Sequence, residues 1–306
     1  MKLGFVFVAV ACSSPLSADL MNPFTSSSAY AADCTNLPCT TLASQVLPGD
    51  AATVSGTSAA GSGAYSFGAS ASASFGVLKV ASSSALSTPI SPVSFVSSGD
   101  ALFVDIVTID SGPQTGEPGL LALAYTLDGV IAQSGSISSA AVITAIVGAP
   151  PFGSLIGGPN FQQAMYTTPI SGKFEFPQLF SFTYGTPFNL YLEMNAGTGT
   201  EDFVSSGGVI SGIGRSTTVA GSGNVDFSNT ATLSGLHTFD AQGNPVLNPV
   251  FTSVSGTRYT ANGVVAEPSS LILIVPGVLC LLALRRKRVY PVASGRKSLK
   301  LEGFSR

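Results

Sequence analysis

His237 is the single histidine of the 306-residue chain, so it is the one side chain that could serve as a Ser–His base or an imidazole ligand. Its neighbours Leu236 and Thr238 place it inside a strand, where a solvent-facing or hydrogen-bonded structural role is favoured over catalysis. Two carboxyl groups about 5 to 9 Å apart could hydrolyse a glycoside, one as acid and the other as nucleophile or base. Glu117, Glu175, Glu193, Glu201, Asp105 and Asp110 are candidates, but their distances depend on tertiary structure and the spacing selects no pair. The acidic loops Asp110-Ser111-Gly112-Pro113 and Glu201-Asp202 offer oxygen ligands for calcium without the order of an EF-hand; solvated loop acids are the plainer reading. No G-x-S-x-G elbow, Walker A loop, Rossmann glycine fingerprint or H-E-x-x-H helix is present. The expectation is therefore no catalytic residues, no metal centre and no cofactor.

The elements around these residues read as β throughout. Residues 54–80 are rich in Ser, Ala and Gly, with Tyr65, Phe67, Phe75, Val77, Leu78 and Val80 suggesting half-buried strands. Residues 101–109, 120–127, 130–134, 174–182, 187–193, 223–236, 238–239 and 250–259 continue the set. Asp128-Gly129 is the strongest hairpin signal, because both residues accept the positive φ of a type I′ turn. Gln242-Gly243-Asn244-Pro245 reads as a second turn, and residues 137–147 as the nearest approach to a short helix. Many strands with turn signals every ten residues or so predict an all-β, single β-sandwich or jelly-roll-like passenger over residues 51–262.

The two ends of the chain have a different character. Lys2, the apolar stretch 3–11, the breaker Pro15 and the small-residue site Leu16-Ser17-Ala18 form a secretory signal peptide over residues 1–18. Ala9-Val10-Ala11-Cys12 weakly resembles a lipobox, leaving a lipoprotein as an alternative to Cys12 being discarded with the leader. At the other end, Leu271–Leu284 holds no charge and is followed by Arg285, Arg286, Lys287 and Arg288. Sixteen residues from Ser269 to Leu284 give a helix of roughly 24 Å, short of the ~30 Å hydrocarbon core, and long Arg side chains can snorkel across the difference. One transmembrane helix over 270–284 is expected, with the basic cluster holding the C-terminus in the cytoplasm and a basic tail over 289–306. Residues 19–50 form an N-terminal segment, in which Cys34 and Cys39 would close a small disulfide loop in an oxidising periplasm. A metal reading of that pair lacks two further ligands.

The C-terminal arrangement resembles the PEP-CTERM sorting signal of bacterial exported proteins, which joins a Pro-Glu-Pro motif, a transmembrane helix and an Arg-rich end. Here the motif reads Ala266-Glu267-Pro268 followed by Ser269 and Ser270, with Ala266 in the place of the first Pro, within a signal over residues 263–288. The resemblance implies an exosortase, a membrane cysteine protease or transpeptidase, acting near the motif. Phe182–Leu190, Val225–Gly235 and Asp240–Pro245 also resemble recurring elements of that group; Phe182, Tyr184, Phe188 and Phe227 read as core aromatics and the glycines as turns.

Charge agrees with export. Residues 19–266 carry fourteen carboxylates against Lys79, Lys173, Arg215 and Arg258, so the passenger is strongly acidic while the basic tail brings the whole chain to −3. Such a surface disfavours nucleic acid, which needs a basic footprint. The chain thus reads as an exported, non-enzymatic surface or extracellular-matrix protein. Its expected partners are an exosortase, the membrane and, in a biofilm, exopolysaccharide. A secreted carbohydrate-binding module and a secreted hydrolase using a carboxylate pair are the alternatives.

Overall fold

The computed structural model describes residues 22–33, 40–48, 52–60, 63–90, 95–148, 160–200, 203–206, 209–212 and 219–265. These residues are all-β and form two large antiparallel sheets. The signal peptide, Cys34 and Cys39, Glu201 and Asp202, the sorting motif, the apolar run and the basic cluster lie outside the described residues. Among the described residues no helix is long and apolar enough to cross a membrane.

The first sheet contains β1 (Phe24–Asp33), β2 (Thr40–Pro48), β6 (Phe95–Asp110), β8 (Ser138–Gly148), β9 (Phe161–Tyr166) and β12 (Phe188–Gly199), in the order β2-β1-β6-β12-β8-β9. Short β16 (Val250–Ser253) also pairs with β6. The second sheet contains β3 (Ala52–Ala60), β4 (Gly63–Ser74), β5 (Val77–Ile90), β7 (Pro118–Gly135), β10 (Ile170–Glu175) and β15 (Val219–Asp240), in the order β10-β7-β15-β5-β4-β3, with β11 (Phe180–Thr183) also on β7. Two small hairpins remain: β13 (Phe203–Ser206) with β14 (Val209–Gly212), and β17 (Arg258–Thr260) with β18 (Gly263–Val265). Strand pairing thus begins at Phe24, inside the stretch read as an N-terminal segment, because β1 inserts between β2 and β6.

The inner faces of the sheets share one core. Phe103, Val107, Leu190, Leu192 and Met194 come from the first sheet, and Leu78, Leu121, Leu123, Tyr125, Phe227 and Leu233 from the second. The aromatics Phe182, Tyr184, Phe188 and Phe227 are buried there, as their sequence context predicts. The Tyr184 hydroxyl donates to the Phe239 carbonyl at 3.1 Å, so its polar end is satisfied while its ring packs on Phe182.

Towards the β3–β5 end the core changes character. Ala29, Ala31, Ala69, Ala71, Ser82, Ser97 and Gly99 are small, and at Gly99 the sheets approach closely; beside them Tyr65, Phe67, Leu86, Phe95 and Ile137 form a second apolar cluster. Ser82 Oγ donates to Ser97 O at 2.7 Å and Ser97 Oγ to Gly68 O at 3.0 Å, so hydroxyl groups link one sheet to the other's backbone.

Three sequence expectations are corrected. Asp128-Gly129 is not a turn, since β7 runs straight through it and β15 pairs along both sides of it. Gly129 is needed for a close approach instead: a Cβ there would overlap the buried Phe227 ring. Residues 137–147 are not helical but form β8, which is buried along almost its whole length. With both faces covered, its apolar run loses the two-residue period that betrays a strand. Residues 174–182 are two short strands, β10 and β11, separated by the buried Phe176 and a turn. The turn at residues 242–245 is present: Asp240 accepts from the backbone of Gln242 and Asn244, and Gly243 takes φ +83°.

Candidate functional site

His237 lies in β15 opposite Ala122, on the face of the second sheet away from the core. Glu175, at the end of β10, reaches the same place, and its Oε1 stands 3.9 Å from His237 Nε2. Ala124 and Gly235 are small and let a cleft of ≈ 270 Å³ form, lined also by Lys173, Ser234 and Asn262. A register shift between Leu233 and Gly235 makes Ser234 the extra residue of a bulge and turns it into this cleft, where its Oγ is buried without a partner.

Serine, histidine and glutamate are therefore neighbours, yet their arrangement is not that of a nucleophilic triad. The carboxylate faces Nε2 at beyond hydrogen-bond length, and both side chains are open to water, 42% and 60% exposed. Nothing then fixes the imidazole tautomer that a base requires. An ion pair so solvated adds little. We expect His237→Ala to change unfolding free energy by no more than about 0.5 kcal/mol, as a urea titration would report; a loss several times larger would show that the imidazole is structural.

The carboxylate pair that the structure does bring together is Glu193 with Asp100, and Asp100 was not among the residues singled out by sequence. Tyr191, Glu193 and Asn195 alternate on β12 away from the shared core, with Asp100 opposite Asn195 on β6. That face is covered: β13 lies against β8, and β14 against β12 and β6. Glu193 is consequently 6% exposed, and Thr144 beside it 1%. The Tyr191 hydroxyl donates to Glu193 Oε2 at 2.6 Å, and Asp100 and Glu193 hydrogen-bond each other while Asp100 Oδ1 has no partner.

Burial pushes the Asp100 carboxyl well above the usual range, and the neighbouring Glu193 pushes it further. Burial also raises Glu193, partly offset by the hydrogen bonds from Tyr191 and Asp100. The pair thus holds a proton that the unfolded chain releases. Because both folded values are raised, this contribution to stability is fully present below the ordinary carboxylate range and is lost as pH rises through the raised values. We expect the melting temperature to fall from pH 5 to pH 8. Asp100→Asn, which mimics the protonated acid, should flatten that profile and melt higher at pH 8. A wild-type profile that rises over this interval would overturn the assignment.

The remaining candidates separate. Asp105 on β6 is fully buried and points into the core, with Oδ2 accepting from Tyr259 Oη at 2.8 Å and from Ser255 Oγ at 2.5 Å. Oδ1 accepts from Ser255 N at 3.2 Å. This carboxylate pins the β16–β17 segment and has no open side. Asp110 is engaged by its own loop, accepting from Thr115 Oγ1 at 2.6 Å and Gly112 N at 2.9 Å, and those bonds hold its carboxyl below the usual range. Both bonds go to Oδ1, which caps the turn of that loop. Glu117 lies in the loop before β7 and is exposed. Among the described residues no three His, Cys, Asp or Glu side chains group as metal ligands.

Sequence missed the Asp100–Glu193 pair because nothing local marks it. The only hint was alternation: Tyr191, Glu193 and Asn195 occupy the positions of β12 that would normally meet water, while Asp100 comes from β6, far away in sequence. No protein-family model, curated protein or solved structure matches this chain.

Proposed function

We propose that this chain is an exported, non-enzymatic surface protein whose two sheets form a single β-sandwich passenger. A signal peptide over residues 1–18 directs export. The apolar run 270–284 halts in the membrane, with Arg285, Arg286, Lys287 and Arg288 on the cytoplasmic side. An exosortase then acts near Ala266-Glu267-Pro268 and frees the passenger into the envelope or a polysaccharide matrix.

The observation that carries this reading is the sequence of motif, apolar run and basic cluster. The last described strand, β18, ends at Val265, next to the motif in sequence. The acidic, Ser- and Thr-rich passenger also suits an extracellular role.

Intact mass and fractionation of the native protein, with and without the host exosortase, test the proposal. The expected result is an extracellular form lacking residues 271–306 that appears only when the enzyme is present. A full-length C-terminus lodged in the inner membrane of both strains would leave an ordinary membrane-anchored domain.

A further inference from the structure

The two lateral sides of the molecule are built differently. On one side the sheets end in short or broken strands: six-residue β9 on the first sheet, and β10 with β11 on the second. β10 carries Lys173 and Glu175 and contains Gly172 at φ +143°. Short strands, charges and backbone irregularities are the means by which sheet edges avoid unwanted pairing. On the other side the sheets end in β2 and β3, each nine residues long. Neither strand contains a charged residue, and the single proline is Pro48 at the very end of β2.

One hydrogen bond to β2 fixes which backbone groups of β3 face outward, and it occupies one of them. Thr53 turns its N–H away from β4, to Gln45 Oε1 at 2.6 Å. In an antiparallel ladder the outward-facing groups alternate, so residues 55, 57 and 59 turn their N–H and C=O to the same open edge. Among the described residues no strand pairs there.

We propose that this side is a homodimer interface, in which β3 pairs antiparallel with β3 of a second copy about a two-fold axis through Gly56. The occupant is set by charge and symmetry. The passenger is strongly acidic, and like-charged molecules repel; the uncharged β2–β3 side is where two copies meet without opposing carboxylates. A two-fold axis at Gly56 places residue 55 of one copy opposite residue 57 of the other, the pair whose outward groups match. Gly56 is the central residue of β3, and its missing Cβ makes room for the Phe67 ring of the same chain. Such pairing uses up the unguarded side, while the opposite side stays protected, so the assembly closes at two copies instead of growing into a fibre. The inference does not depend on the sorting proposal.

The full chain in detergent should show the polypeptide mass of a dimer in sedimentation at micromolar concentration. Ser55→Lys/Thr57→Lys, which sets four ammonium groups around the axis, should halve that mass while leaving the far-UV circular dichroism unchanged. Ser55→Cys/Thr57→Cys should give a reducible covalent dimer, because a hydrogen-bonded cross-strand pair lies about 5.5 Å apart between Cα atoms, within disulfide reach. A monomeric wild-type chain overturns the proposal. So does a lysine variant that stays folded and dimeric, or the absence of the cysteine cross-link, the latter deciding the matter if the lysine variant does not fold.

Discussion

Gly99→Val is expected to leave no native protein. Gly99 sits on β6 where the sheets are closest, and any Cβ there would meet the backbone oxygens of Ser70 and Ala81, the second at 2.9 Å. Backbone atoms held in β4–β5 pairing cannot swing aside as a side-chain tip can. Relief requires the sheets to part, which breaks the Ser82–Ser97 and Ser97–Gly68 hydrogen bonds as well. Gly99→Ala should already cost about 3 kcal/mol, the upper end of overpacking penalties, and Val should exceed the margin of a typical domain. Gly112 provides the contrast. It has φ +63° and no atom within 4 Å of a built Cβ, so Gly112→Ala carries only conformational strain, about 1 kcal/mol. Urea midpoints of the two alanine variants separate the two causes; equal losses for them, or a cooperatively unfolding Gly99→Val, would show that the sheets have slack.

Asp105→Ala should be the most damaging change of a carboxylate. The side chain is fully buried, and its removal leaves the Tyr259 hydroxyl without its acceptor in the core and takes one partner each from the half-buried Ser255 hydroxyl and amide, the hydroxyl keeping Thr257 Oγ1. Charge-assisted hydrogen bonds and orphaned donors together suggest a loss of about 3 kcal/mol. Asp105→Asn should cost less, since it keeps the shape and one acceptor. Because the lost contacts lie in residues 253–259, limited proteolysis should cut the alanine variant first in that segment. Unchanged cleavage there would mean that pairing of β16 with β6 suffices to hold it.

These two sites show what was readable in the sequence and what was not. Strand-rich character was legible because alternating apolar residues mark elements with one wet face, as in β4 and β5. β8 was misread because neither of its faces is wet, and Asp128-Gly129 because a glycine kept for an aromatic ring looks identical to one kept for a turn. Asp105 and Asp110 stood five residues apart as equivalent candidates, yet one is fully buried and one exposed. Their difference comes from Ser255 and Tyr259, some 150 residues away. The Asp100–Glu193 pair was hidden for the same reason, since its two carboxyl groups come from β6 and β12, which are far apart in sequence.

Strand β6 sits at the meeting point of distant parts of the chain. It pairs with β1, β12 and β16, so residues 24, 188 and 250 all converge on it. Each pairing closes a long loop before any contact repays the lost chain entropy. Folding should therefore be slow, in the millisecond-to-second range of non-local β proteins, and all-or-none in its late stages. The first sheet cannot be completed until the final strands are available, so a partly synthesised chain gains little by folding early. The topology holds back the native state until nearly all of the strands that meet on β6 have been made.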